Sequence, residues 1–158
     1  MSRVTGSWLS GGIGETGDEP QEWPGERLGL PQAGPGSVAP RGVRLLALLI
    51  DLVLMSLVTS LFVEFDVNRP EVMQQFNYTS VVVWFVITSV MITLFGFTAG
   101  KALLGLRVVR LDGEPMVGPV RAVPRTLLTA LLLPAAIADA DSRGLHDRVT
   151  GTVVVRTR

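Results

Sequence analysis

The 158-residue sequence has no cysteine. That excludes disulfides, thiol nucleophiles and zinc–thiolate centres. Charge of neither sign dominates: Lys and Arg number 14, Asp and Glu number 14, and the formal net charge is zero. No dense basic stripe is present, so nucleic acid is not an expected partner. The opening stretch MSRVTGSWLSGGIG lacks the continuous apolar run of a cleavable leader. The first long apolar segment therefore reads as an uncleaved anchor. Catalytic sets are also missing. The lone histidine forms a His146–Asp147 dipeptide, but no serine stands in an elbow motif to act as its nucleophile.

Two further motifs fail on inspection. Gly96 and Gly100 before Lys101 suggest a phosphate-binding loop, which needs four residues between its glycines; only Phe97, Thr98 and Ala99 lie between these. Ala102 also stands where Ser or Thr is required. The stretch DADSRG at 139–144 begins like a calcium loop but places Arg143 fifth and Thr150 twelfth, where oxygen ligands belong. The sequon NYT at 77–79 has no secretory context to give it weight. No enzyme activity, metal or cofactor is expected.

What the chain does have is apolar sequence in blocks. Hydrophobic residues make up 47% of it, and mean hydropathy is +0.42. Residues 43–65, VRLLALLIDLVLMSLVTSLFVEF, and 78–100, YTSVVVWFVITSVMITLFGFTAG, each have the length of a membrane span, roughly 20 residues. The second is rich in β-branched residues, yet its length and lack of turn signals favour a membrane helix over a strand. A third apolar segment lies within 122–138. Its core, TLLTALLLPAAIA at 126–138, is short and interrupted by Pro134, which fits an embedded or re-entrant helix better than a full span. LRVVRLDGEP runs into an Asp-Gly turn signal, and TVVVR closes the C-terminal tail at 139–158. These two pieces read as short strands able to pair.

Residues 1–40 hold five of the ten prolines and carry two arginines against five acids. Such composition predicts a flexible tail. Within it, Trp23 with Leu28 and Leu30 either docks on the body of the protein or at the lipid interface, or forms a turn in a linker. The domain proper is then 41–158.

Orientation follows from counting Lys and Arg beside the spans. Arg41 and Arg44 precede the first span, and Lys101, Arg107, Arg110, Arg121 and Arg125 follow the second; the loop between has Arg69 alone. The N-terminus, the 101–125 segment and the tail are expected to be cytoplasmic.

One carboxylate stands inside the first span. Asp51 is seven residues after Arg44, hence on nearly the same helical face but ~10 Å along the axis. Arg44 is expected to reach outward to headgroups. Asp51 should find a partner; the candidates are Arg125, His146 and Arg148, with the hydroxyls of Ser56, Thr59 and Ser60 deeper in. Its role stays open between a polar lock that fixes helix registry and an ion- or proton-binding carboxylate. Gly96 and Gly100 are expected to end the second helix, with Lys101 at the headgroups. Asp147 is expected to cap a turn or pair with an arginine.

RLLALLID at 44–51, GFTAGKALLGLRVV at 96–109 and RGLHDRVTGTVVV at 143–155 occur in this order, and together they resemble the RDD family of small bacterial membrane proteins. The likeness covers roughly 38–156. It implies that the family's arginine and first aspartate are Arg44 and Asp51, and its second aspartate Asp147, with Gly100, Lys101, Gly105, Arg125, His146 and Arg148 in support. The resemblance further implies an all-α protein of the bacterial inner membrane with a small cytoplasmic β element. Partners are the lipid bilayer and a second copy or another membrane protein. The expected function is a non-enzymatic membrane module; the alternative is a cation/proton antiporter or transport subunit using Asp51.

Overall fold

The computed structural model describes residues 21–131 and 144–158. Two long helices dominate: α1, Arg41–Ser60, and α2, Pro70–Phe95. A nine-residue connection, 61–69, joins them into an antiparallel hairpin. Both helices are long and apolar enough to cross a membrane. Their outward faces carry Leu45, Leu49, Val53 and Leu57 on α1 and Val82, Val86 and Val90 on α2, all exposed. In water such a surface is unfavourable; in hydrocarbon it is the natural exterior.

The helix bounds differ from the expected 43–65 and 78–100, for local reasons. Beyond Ser60 the first helix tightens: Leu61 and Phe62 donate to carbonyls three residues back, at Val58 and Thr59, and the helix ends five residues early. The second starts eight residues early because Pro70 occupies its first turn, where proline's fixed φ and missing N–H are tolerated. It ends at Gly96, which takes a left-handed conformation (φ 75°) and returns its N–H to Ile92.

Beyond Gly96 the chain builds a small cap on the base of the hairpin, the end where α1 begins and α2 finishes. Helix α3, Ala99–Leu103, packs on α1. Strand β1, Leu106–Arg110, follows. Helix α4, Pro119–Ala130, packs on α2. After the undescribed stretch come α5, Leu145–Thr150, and strand β2, Thr152–Arg156. The two strands pair antiparallel with Val108 opposite Val154, as the two strand-like pieces of sequence predicted. Ala39, Ala47, Ile92, Leu106, Val108, Val117, Ala122 and Val154 form the cap's core. The base of the hairpin is thus inserted into the cap.

Three expectations need correction. The 1–40 tail is not flexible throughout. Residues 36–39 run beside β2, with Gly36 and Ala39 donating to the carbonyls of Arg156 and Val154 and Arg156 donating to that of Ser37. Backbone pairing to an open strand edge orders a segment whose composition alone would not. Trp23 closes a loop in that strap by donating its indole N–H to Leu30 O at 3.0 Å. The third segment, expected over 122–138, starts its helix at Pro119; its later part, with Pro134, lies outside the described residues. The C-terminal tail also contains α5, which was not expected.

Candidate functional site

Polar side chains converge where the cap meets the base of the hairpin. At the centre lies Asp147, in the first turn of α5 and fully buried. Arg44, one turn into α1, donates from Nη1 to Asp147 Oδ2 at 3.2 Å and from Nη2 to Val154 O at 3.4 Å. Arg125, projecting from α4, donates to the other oxygen, Oδ1. Arg125 is itself 3% exposed. One carboxylate therefore joins α1, the amphipathic helix α4 and the C-terminal α5–β2 unit.

A relay of hydroxyls extends this centre. Arg125 Nη1 also donates to Thr152 Oγ1 at 2.7 Å. Thr150 gives its proton to His146 O at 2.6 Å. Thr152 Oγ1, which accepts from Arg125, stands 3.0 Å from Thr150 Oγ1 and 3.4 Å from Asp147 Oδ1, and its one proton serves one of these two acceptors at a time. Arg121 completes the junction by donating to the carbonyls of Thr150 and Gly151 at the C-terminal end of α5, where a cation complements the helix dipole.

His146 packs over the Cα of Gly144 and places Nε2 3.6 Å from Asp147 Oδ1. Its pKa is pushed down to about 3, chiefly by burial and then by the charges of Arg125, Arg44 and Lys101. The ring is neutral at physiological pH, so its contact with Asp147 is not an ion pair.

Asp51 forms a second, separate node. It is 3% exposed. Thr98 donates its hydroxyl proton to Oδ2, and the Gly100 amide donates to Oδ1 at 2.7 Å. Thr98 is also the N-cap of α3, its oxygen accepting from the Lys101 amide at 3.3 Å. The Lys101 ammonium reaches the same oxygen at 3.4 Å. Gly100 is required by closeness: a Cβ there would stand 2.2 Å from Ala47 O. The absence of a side chain lets α3 lie on α1 and aim its amide at Asp51.

Lys101 stands between the two nodes, with Arg125 and Arg44 on one side and Asp51 on the other. Its pKa is lowered to about 8 by burial first, then by Arg125 and Arg44, against the opposing pull of Asp51.

The sequence assignments fall into place unevenly. Arg44 turns inward to Asp147 instead of outward to headgroups, because the cap covers the helix entrance and supplies a buried carboxylate. None of Arg125, His146 or Arg148 partners Asp51; the 98–100 turn reaches it first, one helical turn beyond Ala47. Arg148 stays on the surface. Lys101 is turned toward the node, not laid against headgroups. Gly105 takes a left-handed conformation (φ 64°) and holds the turn into β1. Thr98 and Thr152 were missed. A threonine just after the helix-ending Gly96 and just before a new helical turn was the available sign for Thr98 as an N-cap; nothing local marks Thr152. Among the described residues no three His, Asp or Glu are grouped to hold a metal ion.

No curated protein and no solved structure matches the chain. The family model for the RDD family matches residues 38–151. That span runs from the strap beside β2 to the end of α5 and contains Arg44, Asp51, Thr98, Gly100, Arg125 and Asp147. With two helices of membrane-spanning length and composition, this is a membrane protein, and the chain belongs to the RDD family.

Proposed function

We propose that this protein is a non-enzymatic module of the bacterial cytoplasmic membrane that assembles with a second copy or with another membrane protein. The observation that carries this reading is the double clamp on Asp147 by Arg44 and Arg125. It commits Arg44, Arg125 and Asp147 to tying the hairpin to its cap, a structural use of buried charge. Two spanning helices enclose no pathway of their own, so their broad apolar exterior faces lipid or another helix pair.

The orientation places both termini and the cap in the cytoplasm, with α1 and α2 both crossing. Its support is the distribution of cations: Arg41, Arg44, Lys101, Arg107, Arg110, Arg121 and Arg125 lie at the base, and Arg69 alone at the tip beside Glu64 and Asp66. Helix α4 is embedded without spanning. It is ~18 Å long, against a hydrocarbon core of ~30 Å. Its exposed Val120, Val123, Leu127 and Leu131 fall within about 80° of arc, and it packs on a helix that is itself lipid-exposed.

The test is purification of the full chain in mild detergent followed by mass determination. An oligomer or a stoichiometric co-purifying membrane protein supports the reading. A lone monomer in detergent and in bilayer discs contradicts it.

A second reading, cation/proton exchange at Asp51, is favoured by the Lys101 ammonium, which bonds the same Thr98 oxygen as the carboxylate's donor and has a pKa of about 8. Under it, Asp51→Asn abolishes cation-dependent proton flux in proteoliposomes while the protein stays folded. Unchanged flux excludes that role.

A further inference from the structure

Near the tip of the hairpin, α1 borders an apolar groove of about 430 Å³. It runs from Leu52 to Ser60 on α1, ~12 Å of helix, and is lined also by Phe65 of the connection and Phe76 of α2. Phe65 stands edge-on to Phe76, with ring centroids 5.1 Å apart. Only Ser56 and Ser60 bring hydroxyls to the lining, and Ser60 returns its own to Leu57 O at 2.8 Å. Both are small side chains among larger ones, which keeps the space open.

The groove ends beside charge. Phe65 stands between Glu64 and Asp66 in the chain, and Arg69 donates to both, to Asp66 Oδ2 at 2.7 Å through Nε and to Glu64 through Nη2. Glu71 adds a third carboxylate in the first turn of α2. Arg69 is the one cation between residues 45 and 100. Three carboxylates against one guanidinium leave the tip a surplus of two negative charges. Arg69 spends two of its five N–H groups on these acids and keeps three for another acceptor among the described residues.

A ligand for such a place is apolar over roughly 12 Å, then offers an anion to Arg69 and a cation to the surplus carboxylates. A phospholipid with an ammonium headgroup has these groups in this order. An anionic lipid has the phosphate but meets the surplus with like charge. A second copy meets the same obstacle: in a two-fold pair inserted the same way, the two tips stand level and each brings an equal negative charge.

We propose that the groove holds one acyl chain of an aminophospholipid, with its phosphate on Arg69 and its ammonium on Glu64 or Glu71. This rests on α1 and α2 crossing the membrane as proposed above, which sets the tip at headgroup depth. It is independent of which protein the chain assembles with.

The experiment places the full chain in bilayer discs of phosphatidylethanolamine and phosphatidylglycerol in equal amounts, extracts it in mild detergent, and counts each lipid retained per protein by mass spectrometry. The site predicts that phosphatidylethanolamine exceeds phosphatidylglycerol by about two- to fivefold, the range of an exposed ion pair. Glu64→Gln with Glu71→Gln, both at exposed positions, brings the ratio to about one or below. Ser60→Leu, also at an exposed position, fills the groove and lowers retention of phosphatidylethanolamine. Equal retention of the two lipids by the parent, or a preference that survives the double glutamine change, overturns the proposal. So does efficient disulfide-linked dimerisation of Ser60→Cys in the discs, which gives the groove to a second copy. A chain that does not enter the discs contradicts the spanning reading itself, whereas one that enters and shows no lipid preference contradicts this proposal alone.

Discussion

Arg44 and Asp147 stand 103 positions apart in the chain, and their charged groups lie 3.2 Å apart in the fold. This contact joins the start of α1 to α5. Because Arg125 holds the second carboxylate oxygen, the same residue also fixes α4. Removing one member of a buried ion pair leaves an uncompensated charge, at a cost of about 3–5 kcal/mol. The cap is thus fastened to the hairpin by a contact that does not tolerate partial loss.

Thr98 serves Asp51 and α3 together. Thr98→Val keeps the shape and removes both functions: the carboxylate loses a donor, and the helix loses its cap. A loss of about 1–2 kcal/mol is expected, seen as a lower melting temperature in detergent. Thr98→Ser retains the hydroxyl and should melt close to the parent. Equal melting of Thr98→Val and the parent would mean that the hydroxyl contributes nothing.

Two glycine substitutions should move in opposite directions. Gly100→Ala drives a methyl against Ala47 O and separates α3 from α1, at a cost of about 1–3 kcal/mol. Gly42→Ala meets open space in the first turn of α1 and should gain about 0.5–1 kcal/mol from helix propensity. Thermal melting of the pair checks both signs.

His146 gives a pH dependence with a defined sign. Its folded pKa of about 3 lies below the ordinary 6.5, so between those values the unfolded chain binds a proton that the folded protein refuses. The stabilisation from this ring is complete above about pH 6.5 and is lost as pH falls toward 3. His146→Gln, which cannot take a proton, should flatten the decline of melting temperature over that window. An unchanged slope would place the acid sensitivity elsewhere.

Much of the architecture was legible because it rests on local patterns. Two apolar runs of spanning length gave the hairpin, and alternation around Val108 and Val154 gave the strand pair. Pro70 and Gly96 moved the ends of α2 through ordinary N1 and C-cap preferences that the apolar run itself does not report. The pairings within the junction were not legible. Arg44 and Asp147 were both recognisable as members of a motif, yet their contact is set by how the cap folds back across more than a hundred residues. Periodicity put Arg44 and Asp51 on one face, and that fact pointed to a relation between them that the fold does not make. Asp51 instead takes its donors from Thr98 and the Gly100 amide, and a backbone N–H leaves no mark in sequence. The strap at 36–39 misled for the opposite reason: the glycine and proline content of the 1–40 segment around it reads as disorder, while its order comes from the open edge of β2.

The lack of cysteine allows a clean test of orientation. Thr157→Cys, exposed beside β2, should resist a membrane-impermeant thiol reagent in intact cells and react after lysis. Val67→Cys, 68% exposed in the 61–69 connection, should react in intact cells. The reverse pattern would invert the orientation, and labelling at both sites would put the two ends of the hairpin on the same side.

The central claim is that Arg44 and Asp147 act as one unit holding the cap on the hairpin. A double-mutant cycle with Arg44→Met and Asp147→Asn, read as unfolding free energy of the full chain in bilayer discs, measures this directly. The account predicts that each single change destabilises strongly and that the double variant loses far less than their sum, with a coupling of about 1–3 kcal/mol. Additive losses would show that the two residues act independently, and that the clamp at Asp147 is not what holds the cap in place.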